Sequence, residues 1–241
     1  MSTARAEPLR IWFAGGAEPW ARYEAPLNRA LAAAGLVADL SPDCPDPAAV
    51  DYIVYRPGGA VEDFRPFTRA KAVLSLWAGV ETVVRNPTLT QPLTRMVDAG
   101  LAEGMVEYVT GHVLRHHLGI DRYLGATGWD RAVPPLARER RVTVLGLGEL
   151  GTACARALAG LRFDVAGWSR RPRQVPDVTC FSGEDGLAPA LARAEIVVLL
   201  LPRTPETEGL MSAARLALLP RGAVLINPGR GALIDDEALL A

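Results

Sequence analysis

Lysine is almost missing from this chain: Lys71 is the only one in 241 residues, which leaves little room for Schiff-base chemistry. Cysteine is scarce as well. Cys44, Cys154 and Cys180 are odd in number, scattered and in no metal-ligand spacing. Neither a disulfide framework nor a zinc site is expected, and a reduced, cytoplasmic chain fits best. The three histidines, His112, His116 and His117, crowd into one short stretch. His112 and His116 have the i, i+4 spacing of a helical metal pair, but no flanking Asp, Glu or Cys completes a set, so no metal is expected. Long apolar runs are absent too. The longest, Ile196–Leu201, is far too short to span a bilayer, and no signal-peptide core follows Arg5 and Arg10. A net charge of −1 gives no electrostatic case for nucleic acid or an anionic membrane as partner.

With 49% hydrophobic and 22% charged residues, the chain is long enough for one large or two modest globular domains. Its organising stretch is Arg141–Gly151. Val142–Leu145 is a short β-branched run, and Gly146, Gly148 and Gly151 follow with the spacing G-x-G-x-x-G. Ala153, Ala155, Ala157, Leu158 and Ala159 then favour a helix. Strand, glycine turn and helix in this order are the dinucleotide-binding fingerprint. Gly146 permits the tight turn, Gly148 lets the pyrophosphate approach, and Gly151 lets helix and strand pack closely. The helix start, with the backbone N–H groups of Glu149 and Leu150, is expected to face the phosphates.

The second strand of the fingerprint is expected over Phe163–Trp168. An NAD site places an acid at its end to accept from the ribose hydroxyls. Here Ser169, Arg170, Arg171, Pro172 and Arg173 follow, with no acid. Arginine pairs with a 2′-phosphate through charge-assisted, often bidentate bonds, so Ser169, Arg170 and Arg171 point to NADP(H) in preference to NAD(H).

Along the rest of the chain, strands are expected at Leu9–Ala14, Asp51–Tyr55, Ala72–Trp77, Val178–Phe181, Ile196–Leu201 and Ala223–Ile226. Helices are expected at Trp20–Ala34, Phe64–Ala70, Leu101–Leu118, Leu187–Ala192, Ala213–Leu219 and from Asp235. Ser41–Pro47 and Gly125–Arg140 read as loop and linker. This alternation predicts parallel α/β sheets, whose ligands collect at the C-terminal ends of the strands. Two such ends are Arg56 and the loop Trp77–Glu81. The expected division is 1–100 and 101–241.

Six stretches in order then carry a family resemblance: LWAGVE at Leu76–Glu81, LAEGMVEY at Leu101–Tyr108, VLGLGELG at Val144–Gly151, GWSR at Gly167–Arg170, LLPRTPETEG at Leu200–Gly209 and LINPGRG at Leu225–Gly231. The chain resembles the NAD(P)-dependent D-2-hydroxyacid dehydrogenases, and most closely their glyoxylate/hydroxypyruvate reductase branch. The resemblance implies a flavodoxin-like substrate domain and a Rossmann domain that close around substrate and cofactor. It implies that Arg230 is the active-site arginine, binding the 2-oxo acid and polarising its carbonyl. Ala78, Gly79 and Val80 match the loop whose backbone N–H groups hold the substrate carboxylate, and Arg56 is a candidate beside them. Leu201, Pro202, Thr204, Pro205 and Thr207 match the loop beside the cofactor, and Pro228 and Gly229 the turn before the arginine. The helix Leu101–Leu118, rich in apolar surface, is expected at a twofold interface of a homodimer.

The resemblance has one departure. The family completes its site with a glutamate and a general-acid histidine beyond the arginine motif, whereas here no histidine follows His117. Asp235, Asp236 and Glu237 read as helix-terminus residues instead. The expectation is that these residues belong to a longer reductase whose remainder supplies the sixth strand and the acid. The function implied is NADPH-dependent reduction of glyoxylate or hydroxypyruvate. The alternatives are another 2-hydroxy acid as substrate, or a non-catalytic NADP(H)-binding protein.

Overall fold

The computed structural model describes residues 7–129 and 131–241, and they divide into two units, Met1–Val97 and Asp98–Ala241. In the first unit β1 (Leu9–Phe13), α1 (Ala17–Ala33), β2 (Ala38–Ser41), β3 (Tyr52–Tyr55), β4 (Ala72–Ser75) and β5 (Leu93–Thr94) follow one another. The strands form a sheet ordered β2-β1-β3-β4-β5, parallel throughout. This is the flavodoxin-like order, whose direction of growth reverses between β1 and β3. Ile11, Phe13 and Val54 pack under α1, whereas Trp12, Ile53, Tyr55 and Val73 fill the other face with Phe64 and Phe67. Period-two alternation along β1 sends neighbouring side chains into opposite layers.

Local chemistry explains where the expected boundaries shift. α1 begins at Ala17 and not at Trp20, because Pro19 falls in the first turn, where proline's missing N–H costs nothing. The helix expected over 64–70 does not form; turns occupy this stretch. Pro66 biases Arg65 away from helical backbone. Gln91 donates to the carbonyls of Phe64 and Phe67, and Thr88 accepts from the Phe64 N–H, so both rings are anchored without a helix. β2 escapes recognition in Ala-Asp-Leu-Ser, whose weak strand propensity is overridden by pairing with β1.

Asp51, 1% exposed, ties the opposite edge of this sheet. Its carboxylate accepts from the Arg10 N–H at 3.0 Å and Arg69 at 3.1 Å, with Lys71 at 3.4 Å. The Arg10 N–H and the two cations hold its carboxyl below the ordinary range despite burial. The single lysine is therefore engaged at the strand N-termini, away from the edge where ligands gather.

In the second unit α2 (Ala99–Leu118) precedes β6 (Arg141–Leu145), α3 (Glu149–Gly160), β7 (Asp164–Ser169), β8 (Thr179–Ser182), α4 (Gly183–Ala192), β9 (Ile196–Leu199), α5 (Ala213–Leu216), β10 (Val224–Ile226) and α6 (Asp236–Leu240). The sheet order is β10-β9-β6-β7-β8, all parallel. With β6 as first strand this is the Rossmann order 3-2-1-4-5. Val142, Val144, Ile196 and Val198 face α2 and α3, while Leu145, Val197 and Leu199 face α4. Each buried side chain of this size contributes about 1.5–3 kcal/mol. Thr143, fully buried between them, donates to the Ala190 carbonyl at 3.1 Å.

Asp98 caps α2 by accepting from the Leu101 N–H, and Gly119 ends it at φ 64°. Part of its apolar stripe is used inside the unit: Val109 and Val113 are fully buried in the core around β6 and α3, whereas Leu101 and Met105 are only partly buried. His117 lies in the last turn, buried and edge-on to Phe163 at 4.9 Å, with Nδ1 unpartnered. Burial, and next the charge of Arg140, lower its pKa from the ordinary 6.5. The folded chain thus prefers neutral His117. Stability is full above 6.5 and falls as pH drops below it, since the unfolded chain then binds the extra proton. Thermal melts at about pH 7.5 and about pH 5.5 are expected to show this loss, and His117→Leu to flatten it. An H117L profile as steep as the wild type's would assign the dependence elsewhere.

Candidate active site

In both units every strand runs the same way, so the loops after the strands share one edge of each sheet. In the second unit the winding direction reverses between β6 and β9, and the glycine turn stands there. Gly146 has φ 109°, donates its N–H to the Trp168 carbonyl at 2.8 Å, and would place a Cβ 2.5 Å from the Leu200 oxygen. A Cβ on Gly151 would lie 1.7 Å from the Gly146 oxygen. Both glycines are dictated by protein backbone. Gly148 differs: its backbone is extended, and a Cβ there would meet nothing within 4 Å. Neither conformation nor packing in this chain demands glycine at 148, which fits a surface reserved for a closely approaching ligand. No side chain caps α3, whose first residues are Glu149 and Leu150, so its positive end suits a diphosphate.

The next loops complete this edge. β7 ends at Ser169, whose hydroxyl donates to the Arg171 carbonyl at 2.8 Å and folds the chain back. Arg170, Arg171 and Arg173 are exposed beyond it. After β9, Thr207 donates to the Pro202 carbonyl at 2.6 Å and accepts from the Thr204 N–H at 2.8 Å, which shapes the turn that Leu201 enters and Pro205 extends. This loop is laced to the segment after β10 through Gly209 N–H to Ala232 O and Met211 N–H to Leu233 O. Asn227 holds the turn that carries Arg230: its Oδ1 accepts from Gly229 at 3.1 Å, and its Nδ2 donates to the Arg230 carbonyl at 2.9 Å. Arg230 is exposed, and its guanidinium donates to the Gly229 carbonyl at 3.0 Å.

Pro228 of that turn closes one side of an apolar hollow of about 430 Å³, with Gly100, Leu101, Gly104, Met105 and Tyr108 of α2 around it. Sequence reasoning passed over Gly100, Gly104 and Tyr108. The available signal was glycine at i and i+4 in a helix, which opens a face that an apolar stripe would otherwise fill. Of the other reactive groups, burial pushes the Cys154 thiol up to about 11, leaving it protonated and inert. His112 packs against Tyr108, ring centroids 4.4 Å apart. Among the described residues no group of three or more His, Cys, Asp or Glu is placed to hold a metal ion, and no helix is long and apolar enough to cross a membrane.

In the first unit, Arg56 directly follows β3, and 76–80 follows β4. The register Tyr55–Ser75 and the bond from Leu76 N–H to Tyr55 O put these two loops side by side. Ser75 Oγ accepts from the Trp77 N–H at 3.2 Å and donates to the Trp77 carbonyl at 3.1 Å, which fixes the entry to Ala78, Gly79 and Val80.

A parallel sheet of Rossmann order with a glycine turn at its switch point defines a dinucleotide-binding α/β protein. Comparison with known proteins narrows this. Residues 109–241 match the D-isomer specific 2-hydroxyacid dehydrogenase, NAD binding domain, and the chain belongs to that family. It is 36% identical over 184 residues to glyoxylate/hydroxypyruvate reductase A of Serratia proteamaculans, an alignment spanning 72% of this chain and 59% of that protein. A D-isomer specific 2-hydroxyacid dehydrogenase from Xanthobacter autotrophicus, solved with NADPH and MES, is 38% identical. The match covers 97% of this chain and 76% of that one, with a TM-score of 0.85. An NADPH-dependent glyoxylate/hydroxypyruvate reductase of Sinorhizobium meliloti, solved with NADP and sulfate, is 31% identical over the same shares, with a TM-score of 0.79. These relatives put the chain in the glyoxylate/hydroxypyruvate reductase branch.

The glycines give a direct test. Gly151→Ala is expected to destabilise the chain by about 1–3 kcal/mol or more, since backbone must move. Gly148→Val is expected to leave the melting temperature nearly unchanged and to abolish NADPH binding, measured by fluorescence titration. Unimpaired NADPH binding by G148V would remove Gly148 from the site.

Proposed function

We propose that the chain carries out NADPH-dependent reduction of a small 2-oxo acid, glyoxylate or hydroxypyruvate, to the D-2-hydroxy acid. The observation that carries this reading is the open face of Gly148 at the switch point, next to a β7 end that is basic and free of acid. Bound NADPH supplies a hydride to the carbonyl carbon. In this reading Asp98–Ala241 is the cofactor domain and Met1–Val97 the substrate domain. Gly146, Gly148, Glu149, Leu150 and Gly151 receive the pyrophosphate. Ser169, Arg170 and Arg171 hold the 2′-phosphate, while Leu201, Pro202, Thr207, Pro228 and Gly229 line the remaining cofactor surface. Backbone N–H groups of Ala78, Gly79 and Val80 hold the substrate carboxylate, and Arg56 stands beside them as a further anion-binding group for an acidic substrate. Arg230 supplies a permanently charged fork that orients the acid and stabilises the negative charge developing on its carbonyl oxygen. None of the three histidines is assigned the proton, since all lie on α2 and His117 is buried.

The names of the relatives support a reductase over a purely cofactor-sensing role. Another 2-hydroxy acid remains the competing substrate, which a panel of 2-oxo acids resolves. We also place the protein in the cytoplasm as a homodimer. The helix Leu101–Leu118 is the proposed interface: Leu101 and Met105 are only partly buried, Tyr108 and Leu118 are exposed, and the stretch after the helix adds apolar surface. Ile120, Tyr123, Leu124, Trp129, Val133 and Leu136 are all exposed there, Trp129 at 94%.

Three measurements test this reading. NADPH fluorescence is expected to fall on addition of glyoxylate or hydroxypyruvate, and Arg230→Ala to lower kcat/KM by about a hundredfold or more. NADPH that binds but is consumed with no 2-oxo acid would refute reduction by this chain. Replacing both Arg170 and Arg171 with Glu is expected to weaken NADPH about tenfold or more while sparing NADH; equal losses for both would cancel the 2′-phosphate assignment. Light scattering at micromolar concentration is expected to give twice the chain mass, and a monomeric mass would count against the dimer.

A further inference from the structure

Arg56 is placed more tightly than a surface arginine needs to be. Its carbonyl accepts from the Gly59 N–H at 3.1 Å, and the Ala60 N–H bonds to the Ala14 carbonyl at 2.8 Å. A Cβ on Gly59 would lie 2.0 Å from that same oxygen, so only glycine lets the turn press onto the end of β1. The turn therefore bridges the ends of β1 and β3, the point where this sheet reverses its order and where open α/β sheets take their ligands. On its other side it runs beside the loop 76–80.

The guanidinium held there lacks an acid. Three arginines among the described residues have a buried side-chain nitrogen with no hydrogen-bond partner: Arg56, Arg140 and Arg193. Arg140 is compensated through another nitrogen by Glu195 at 2.9 Å, and Arg193 by Asp164 at 2.6 Å. Among the described residues Arg56 has no such carboxylate. A charged donor left buried and unpaired is costly unless an outside group supplies the acceptor. Arg56 is also the only cation in the three neighbouring stretches 14–16, 56–60 and 76–81, and Glu81 lies in the last of them. One unmatched positive charge suits one added carboxylate and not a doubly charged phosphate.

We propose that Arg56 selects 2-oxo acids bearing a second carboxylate on C3, the four-carbon dicarboxylate class, over glyoxylate. The backbone N–H groups of 78–80 keep the first carboxylate and Arg56 takes the second in a planar, two-point contact. This inference rests on the 2-oxo acid reading above. D-malate and D-lactate separate the two, because they differ only by that carboxylate and neither is reduced by NADPH.

Calorimetric titration of the NADPH-loaded chain is expected to show D-malate binding about tenfold or more tighter than D-lactate. Arg56→Gln is expected to erase that difference by weakening D-malate alone, and Arg56→Lys to restore part of it, with melting temperatures confirming that each variant folds. Equal affinities in the wild type, or equal weakening of both ligands in R56Q, would overturn the selectivity and leave the 2-oxo acid reading intact. Binding of neither acid to a chain that still binds NADPH would overturn that reading and this inference with it.

Discussion

The seating of α3 on the turn after β6 is the contact on which the second unit depends. With 1.7 Å between a notional Gly151 Cβ and the Gly146 oxygen, no side chain can stand between helix and turn. The helix start is thereby brought to the end of the central strand. Gly146 is in turn pressed against the backbone after β9 and bonded to the end of β7. Three strand ends meet around one turn. An uncapped helix terminus, a basic loop and the β9 loop consequently lie around one open glycine face, and none of them would do so if α3 stood off by a side chain's width.

A second theme is how the chain treats buried charge. Asp51 collects a backbone N–H and two cations at the strand N-termini of the first unit. Glu195 does the same in the second unit with Arg140, Arg141 and the Arg141 N–H, and these partners hold its carboxyl below the ordinary range although burial opposes them. These clusters are internally satisfied and sit at the edge opposite the ligand loops. At the C-terminal edges the pattern changes to cations without acids beside them in sequence, Arg56 in one unit and Arg170, Arg171 and Arg173 in the other. Satisfied charge thus ties down the strand N-termini in both units.

The local sequence was informative wherever physical requirements are local. The G-x-G-x-x-G spacing, the β-branched run before it and the acid-free strand end are all short-range statements, and the parallel α/β class follows from strand and helix alternation. Family motifs placed Arg230 and the loop 78–80 in positions that composition or periodicity could not have picked out. What failed to show locally depended on partners far away in the chain. β2 exists because β1 pairs with it. The stretch 64–70 stays out of a helix because Thr88 and Gln91 satisfy its backbone from more than twenty residues on. Along α2 only Val109 and Val113 are fully covered by α3 and the strands, while Leu101 and Met105 stay partly exposed.

From the sequence alone came the cofactor class, the family and the candidate residues, since each rests on residue type and spacing that survive in any fold. Tertiary structure alone decided which glycine is free, which buried arginine nitrogen lacks an acid beside it among the described residues, and which apolar surface stays exposed. Those properties are defined by what lies opposite a group in space: a Cβ at Gly148 meets nothing within 4 Å, one at Gly151 meets a carbonyl, and among the described residues the guanidinium of Arg56 meets no acid where those of Arg140 and Arg193 do.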